Sequence, residues 1–524
     1  MQSLSTVTHS VIGGSPSIIS SPLLGLVESD KTTATNESVT VRVPPANRKR
    51  AVRGRFVRIE DCRTGTEFLG RVNAGPFFPD DPTGDLHLRV EIHGEMVNRS
   101  TRATNDRPAP GSPVRELIPD RVGELLGCSG DMQVGVLGDS DALMVGLQSK
   151  SKDVLPRNLG IFGTVGSGKS NSAQVMIEEA AACGWAVIVL DVEGEYIGMD
   201  APGETPGLVE ALARYGKKPA GLPDFRVLHP ASCASERPDS KPFTLRLADF
   251  ETPIVIELLQ ATMAERNALL ECVEHFLSKA YARMTTNEAE RLALLLDPSP
   301  KAFRPFTLQQ LCDRARERSP RTNELLDFLG LSIKLLALIH TGAFDQANMN
   351  GLDPAGMLSP GRVTVIDVSV ANDVVKNLAT ADLLRKVFAY KVAKEDAPPT
   401  LVVIEEAHSF ISREKVQTMQ ATLQMLRNVT RRGRKRWFAT AFISQQPGHL
   451  PAEIFELCNT RLVHTLRSMH NLESLMSTTS DITGDMWARC PLLGTGEAIL
   501  SSPQLNRPAV VTMRPAASRR KFTR

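Results

Sequence analysis

The run Gly163-Thr164-Val165-Gly166-Ser167-Gly168-Lys169-Ser170 has the residue types and spacing of a phosphate cradle. Gly163, Gly166 and Gly168 carry no Cβ, so the backbone can curl with its N–H groups pointing inward. Those donors, added to the positive end of the helix that starts here, favour a polyphosphate. Lys169 is spaced to reach the β- and γ-phosphates, and the Ser170 hydroxyl to bind Mg²⁺. Thr164, Val165, Ser167 and Asn171 complete the stretch that would line the nucleotide. Such an octapeptide can arise by chance, so its flanks decide. Leu159 to Phe162 is apolar and reads as a buried strand, and Ser172 to Ala182 is rich in helix formers. ATP with Mg²⁺ is the expected ligand.

A second constellation lies far along the chain, where the apolar strand Leu401-Val-Val-Ile404 ends in Glu405-Glu406. Paired acids at a strand end are commonly just solvated. Together with a phosphate loop they suit two tasks, Glu405 facing Mg²⁺ through ordered water and Glu406 polarising or deprotonating the attacking water. Glu stands at 405 where Asp is the commoner metal-side acid. The next strand ends in Ser444-Gln445-Gln446-Pro447, and the Gln445 amide could bond both the γ-phosphate and the water; the plainer reading is a polar cap ahead of Pro447. Asp191 and Glu193 hang from the carboxyl end of Trp185 to Asp191, the edge where open α/β sheets gather ligands, and are further candidates for the magnesium environment. The densest basic run is Arg431-Arg432-Gly-Arg434-Lys435-Arg436. A charge run is commonly a solvated face, but Arg432 or Arg434 in this loop could instead enter a neighbouring subunit's site as an arginine finger.

These residues need a sheet to hold them, and the pattern supplies one. Buried strands at Arg362 to Asp367, Leu401 to Ile404, Phe438 to Ile443 and Arg461 to Leu466 join Leu159 to Phe162 and Trp185 to Asp191, with helices between them. The expected class is α/β: a RecA-like P-loop ATPase core with a small N-terminal β-barrel and a helical insertion. Residues 1–22 read as a flexible start, and 23–110 as the barrel, from short alternating runs such as Val39 to Val43 and Leu86 to Ile92. Residues 98–113 look like a linker. The core then occupies 111–200 and 356–510, interrupted by a mainly helical insertion at 201–355. A basic tail, 511–524 with Arg519, Arg520, Lys521 and Arg524, reads as a solvated end or a DNA contact.

A chain of 524 residues with 42% hydrophobic and 23% charged residues has the composition of a globular protein of two or three domains. The net charge of +2 gives no global field for a polyanion, so any such site must come from local clustering. Eight cysteines without a C-x-x-C pair argue against zinc and a disulfide framework, and point to a reducing compartment. No apolar run approaches the roughly 20 residues that cross a bilayer. A cytoplasmic protein with no membrane contact is expected.

In their order, Gly163 to Ser170, Asp191-Val-Glu-Gly-Glu-Tyr196, Val403-Ile-Glu-Glu-Ala-His408, Arg432-Gly-Arg-Lys435, Ser444-Gln-Gln-Pro447 and Gly494-Thr-Gly-Glu-Ala-Ile499 resemble the HerA family of the HerA/FtsK superfamily. The β-rich N-terminus is similar to that family's HAS-barrel. The resemblance implies a homo-hexameric ring that hydrolyses ATP to move double-stranded DNA through a channel, beside a NurA-like nuclease or, in anti-phage defence, a sirtuin-like or nuclease effector. The family commonly has Arg after Ser-Gln, where this chain has Gln446. Two other readings remain open here: a ring whose ATP state switches a bound effector, and a secretion or conjugation ATPase.

Overall fold

A computed structural model describes residues 21–29, 37–78, 84–98, 100–138, 143–284, 306–319, 325–410 and 420–521. Residues 1–20, most of the expected flexible start, and Arg524 of the basic tail lie outside them. The chain divides into two compact units, residues 1–127 with 139–143, and 128–138 with 144–524.

The first unit is a closed antiparallel barrel. Its strands are β1 (Leu23–Val27), β2 (Ser38–Val43), β3 (Phe56–Glu60), β4 (Glu67–Phe77), β5 (Leu86–Val97), β6 (Ser100–Arg102) and β7 (Pro113–Glu116). The order β2-β1-β7-β3-β4-β5 closes where β2 pairs with β5, and β6 extends β5 outside the ring. Alternation does the sorting. In β2, Val39, Val41 and Val43 point inward while Ser38, Thr40 and Arg42 do not, and β5 sends Leu86, Leu88, Val90 and Ile92 into the same core. The segment read as a linker holds β6, and Pro113 opens β7, which seals the gap between β1 and β3. Proline suits the first residue of a strand, where it gives up no interior ladder bond.

The second unit is built on a twelve-stranded sheet. Eight strands run parallel: β13 (Lys241–Phe243), β12 (Phe225–Pro230), β14 (Val363–Asp367), β11 (Ala186–Asp191), β15 (Thr400–Ile404), β16 (Phe438–Ser444), β10 (Leu159–Phe162) and β17 (Thr460–Val463). β18 (Glu497–Ser501), β19 (Ala509–Met513), β8 (Met132–Leu137) and β9 (Met144–Leu147) continue the sheet antiparallel. β10, β11, β14, β15, β16 and β17 are buried throughout, which is why they read as unbroken apolar runs. The expected α/β class with a barrel at the N-terminus is borne out.

Between β13 and β14 the chain forms the helices Thr252–Leu258, Met263–Met284, Leu308–Arg318 and Leu325–His340. Leu269, Leu311, Phe328, Leu331 and Leu335 are buried among them. The helix at Leu308 starts at a capping box: Thr307 Oγ1 accepts from Gln310 N–H and Gln310 Oε1 from Thr307 N–H. The stretch 201–355 is not helical alone, for it also adds β12 and β13 to the sheet beside β14. β12 is only partly buried, so its run Phe225-Arg-Val-Leu-His-Pro230 lacks the apolar density of the central strands.

After β19 the chain is clamped to the helix Lys169–Ala182. Arg514, 1% exposed, donates to Glu178 Oε2 at 2.8 Å and Glu179 Oε1 at 2.7 Å, and Glu178 Oε1 accepts the N–H groups of Ala517 and Ser518. Removing the cation leaves buried Glu178 without its counter-charge, while Glu179 keeps Lys217 at 2.7 Å. Arg514→Met is expected to cost about 3–5 kcal/mol in urea unfolding, the range for one broken partner of a buried ion pair. A loss under about 1 kcal/mol would mean the clamp contributes little.

Candidate nucleotide site

The phosphate loop leaves the carboxyl edge of β10, between β16 and β17. Phe162 stands opposite Ser444 on one side and Val463 on the other, so Gln445 and His464 flank the loop. Thr164 fastens its start, donating from N (2.8 Å) and Oγ1 (3.0 Å) to Thr465 O, and Ser167 Oγ closes the turn on Thr164 O at 2.7 Å. Gly496 N–H donates to Ser167 O at 3.0 Å from the turn before β18. That approach requires glycine at 168: its φ is 107°, and a Cβ would lie 2.9 Å from Gly496 N. Gly166, φ 75°, and Val165, 81% exposed, form the open tip. A fastened base, a curled glycine backbone and an open mouth fit a polyphosphate.

Lys169 is 7% exposed, and its Nζ donates to Thr164 O at 2.9 Å. Burial pulls its pKa down, while the charges of Glu406, Glu195 and Glu405 pull it back up. The charges of three carboxylates, carried beyond two strand ends, therefore act on one ammonium. Glu406 leaves β15 with φ 43°, in the left-handed region that a side-chain-bearing residue enters at a cost of about 1 kcal/mol or more, a strain common at functional sites. Its Oε2 lies 3.0 Å from His408 Nδ1, and that nitrogen is 3.2 Å from Ser444 Oγ.

Glu405 turns back toward β11. Its Oε2 accepts Val192 N–H at 3.2 Å, and burial pushes its pKa well up. Asp191 beside it is also raised, to about 6, chiefly by burial and with the nearby Asp367 adding to the rise. Asp191 spends both oxygens on backbone donors, Oδ1 on Gly194 and Glu195 and Oδ2 on Tyr196, at 2.7, 3.1 and 2.8 Å. It thus clamps the turn that carries Glu195. Glu193 of the same turn is exposed.

Ser170 is half-buried in the first helical turn beside Lys169, in position for a cation bound at the loop, and Gln445 is half-buried immediately past Ser444. Asn171 is turned elsewhere: its amide donates to Arg514 O at 2.8 Å and accepts Ala516 N–H at 2.9 Å, so its side chain anchors the C-terminal segment. Arg432 and Arg434 are not with these residues. They precede β16, whose seven residues separate them from the loop by roughly 20 Å at about 3.3 Å per residue. At that amino edge Arg434 pairs with Asp153 at 2.7 Å, and Arg157, unforeseen from sequence, pairs with the same carboxylate at 2.9 Å.

His464 was also unforeseen, although a lone histidine in the apolar run Arg461 to Leu466 is a legible oddity. Its Nδ1–H donates to Glu497 O at 2.8 Å and its Nε2 accepts from Ser172 Oγ at 2.9 Å, tying β17, β18 and the helix together under the loop. Burial lowers its pKa to about 4. The unfolded chain takes this proton near the ordinary 6.5 and the folded chain refuses it until about 4. The stability it contributes is therefore complete above about pH 6.5 and falls as pH drops between those values. Comparing unfolding midpoints of the wild type and His464→Gln from roughly pH 8 to pH 5 should show about 2 kcal/mol of acid-dependent loss that the variant lacks. Parallel curves would contradict a neutral, buried His464.

A glycine loop with its lysine at the carboxyl edge of a parallel sheet, facing paired acids on the second strand away, defines a P-loop ATPase, an ATP-hydrolysing enzyme. Residues 132–387 match the family described as "Helicase HerA, central domain". The chain is 21% identical over 471 residues to the DNA double-strand break repair helicase HerA of Sulfolobus acidocaldarius, covering 86% of this chain and 82% of that protein. It is 22% identical over 460 residues to the HerA of Pyrococcus furiosus, covering 81% and 80%. Among solved structures, VirB4 of Thermoanaerobacter pseudethanolicus shares the fold, with a TM-score of 0.50 at 16% identity, over 74% of this chain and 96% of that one. This P-loop ATPase is thus similar to the HerA helicases over most of its length. Among the described residues no helix is long and apolar enough to cross a membrane.

Proposed function

We propose that this chain is one subunit of a hexameric ring that hydrolyses Mg-ATP to move double-stranded DNA, working beside a nuclease or another effector in DNA end processing or anti-phage defence. DNA as substrate rests on the relatives, which are named as DNA double-strand break repair helicases. The observation that carries the ring is the separation of charges along the sheet. The lysine and carboxylates lie at one end, while Arg157 and Arg434 converge on Asp153 at the other, beyond reach of this chain's own loop. Arginines so placed are useful to a nucleotide held by a neighbouring subunit.

In this reading the amides from Thr164 to Ser170 cradle the phosphates, and Lys169 moves from Thr164 O to the β- and γ-oxygens. Ser170 would hold Mg²⁺, with Glu405 available to the same ion. Glu406 accepts a proton from the attacking water, and Gln445 orients that water. When bound, Mg²⁺ would supply charge neutralisation to the phosphates. Arg432 or Arg434, with Arg157 alongside, acts across the subunit border.

ATPase activity is expected to rise with double-stranded DNA and to vanish in Lys169→Ala, while Glu406→Gln keeps nucleotide affinity but loses hydrolysis. DNA affinity should fall steeply with salt and depend little on sequence, because phosphate contacts release counterions. Wild-type hydrolysis by Glu406→Gln would sink the general-base assignment, and a flat salt response would count against a DNA-gripping ring.

The border reading has its own test in mixed rings. Arg434→Ala is expected to assemble and bind ATP yet lose on the order of 10³-fold or more in rate. Mixing it with Lys169→Ala should restore part of the activity, because each Lys169→Ala subunit still offers its arginine to an intact loop next door. If an inactive Arg434→Ala gains nothing in verified mixed rings, the arginine does not act in trans.

A further inference from the structure

The described part of the basic tail, as far as Lys521, is bound along its backbone to the rest of its unit. After the Glu178 clamp the chain runs antiparallel beside residues 198–203, with Gly203 N–H donating to Ala517 O at 2.9 Å and Arg519 N–H to Ala201 O at 2.8 Å. Arg519 pairs with Glu204 and Lys521 with Glu236, so the two outer cations are held at the surface. Arg520 between them turns inward. Its Nε lies 4.0 Å from Glu195 Oε2, with the two side chains only 18% and 19% exposed.

Glu195 is fixed at both ends of its backbone. Its N–H donates to Asp191 Oδ1 at 3.1 Å and its C=O accepts Lys521 N–H at 3.0 Å. Its Oε2 is buried with no hydrogen-bond partner among the described residues. The same carboxylate is one of the three charges that act on Lys169. Glu195 is therefore tied to two cations, the tail arginine 4.0 Å from its Oε2 and the phosphate-loop lysine on which its charge acts.

We propose that Arg520 is a positioning residue for phosphate binding: it holds the Glu195 carboxylate on the tail side, so that Glu195 does not neutralise Lys169 and compete with incoming phosphate. An anion near Lys169 lowers the ammonium's attraction for a polyphosphate, and a guanidinium on the far side of that anion restores it. The C-terminal tail, strapped to the phosphate-loop helix through Glu178 and to the acidic turn through Arg520, thereby sets nucleotide affinity. Whatever lifts the tail would weaken ATP binding without touching the loop. The inference rests on the reading of Lys169 as the phosphate lysine.

The test is a double-mutant cycle read by calorimetric titration of the full chain with the non-hydrolysable analogue AMP-PNP and Mg²⁺, with melting curves to confirm folding. Arg520→Ala should weaken binding on the order of tenfold, within the span of couplings inside one charge network. Arg520→Lys should keep most of the affinity. Glu195→Gln should bind at least as tightly as wild type, and the pair Arg520→Ala with Glu195→Gln should match Glu195→Gln alone. If the double variant keeps the full tenfold loss, Arg520 acts on the fold or on the nucleotide itself and the proposal falls; it falls equally if Arg520→Ala binds as wild type. Lys169→Ala separates the two readings, since undiminished binding there would overturn the lysine's role rather than the arginine's.

Discussion

One buried ammonium organises the motor unit. Lys169 lies almost out of solvent under the charges of Glu406, Glu195 and Glu405, with its Nζ–H donating to a backbone oxygen of its own loop. Burying a charge is costly unless other charges surround it, so the carboxylates that act on it and the strands that carry them must be in register. The parallel pairing of β11 with β15, and of β15 with β16, delivers that register: Leu190 stands opposite Ile404, and Ile404 opposite Phe442, so the acids leave the sheet on one side of the loop. The acids outnumber the cations, which leaves the site short of positive charge and receptive to a magnesium ion as well as to the phosphates that Lys169 would bind.

The same register explains why the loop is stiff before any ligand arrives. Thr465 holds its first turn, Gly496 its middle, and His464 the helix beneath it. These contacts come from residues that follow β17 and precede β18, about 300 residues or more further along the chain. A loop fastened this way presents its amides without ordering cost when phosphate binds. The C-terminal segment adds a second brace on the opposite face of the helix, through Arg514, Glu178 and Asn171.

Much of this was legible in the sequence, for physical reasons that can be named. The central strands are buried on both faces, so they appear as uninterrupted apolar runs, and the phosphate loop announces itself by glycines that a Cβ would block. The barrel strands show through their alternation, because one face packs and the other is wet. What stayed hidden is non-local. β7 hides behind Pro113 in a turn-rich stretch, and β12 is too sparsely buried to look like a strand beside helices. Asp191 reads from its place at a strand end as part of a magnesium environment, and its bonds to three backbone amides of the following turn show no local signal. Asn171 follows the loop in sequence but turns to a segment more than 300 residues away. Arg157 and Arg520 gain meaning only from Asp153 and Glu195, partners that no local pattern supplies.

The measurement closest to the central claim is a structure of the chain with Mg²⁺ and ADP-beryllium fluoride. The account predicts phosphates cradled by the amides of Thr164 to Ser170, the metal on Ser170, and Lys169 Nζ moved off Thr164 O onto the γ-phosphate mimic, with Glu406 facing the in-line water. A nucleotide bound elsewhere, or Lys169 still bonded to Thr164 O beneath an ordered phosphate mimic, would contradict it.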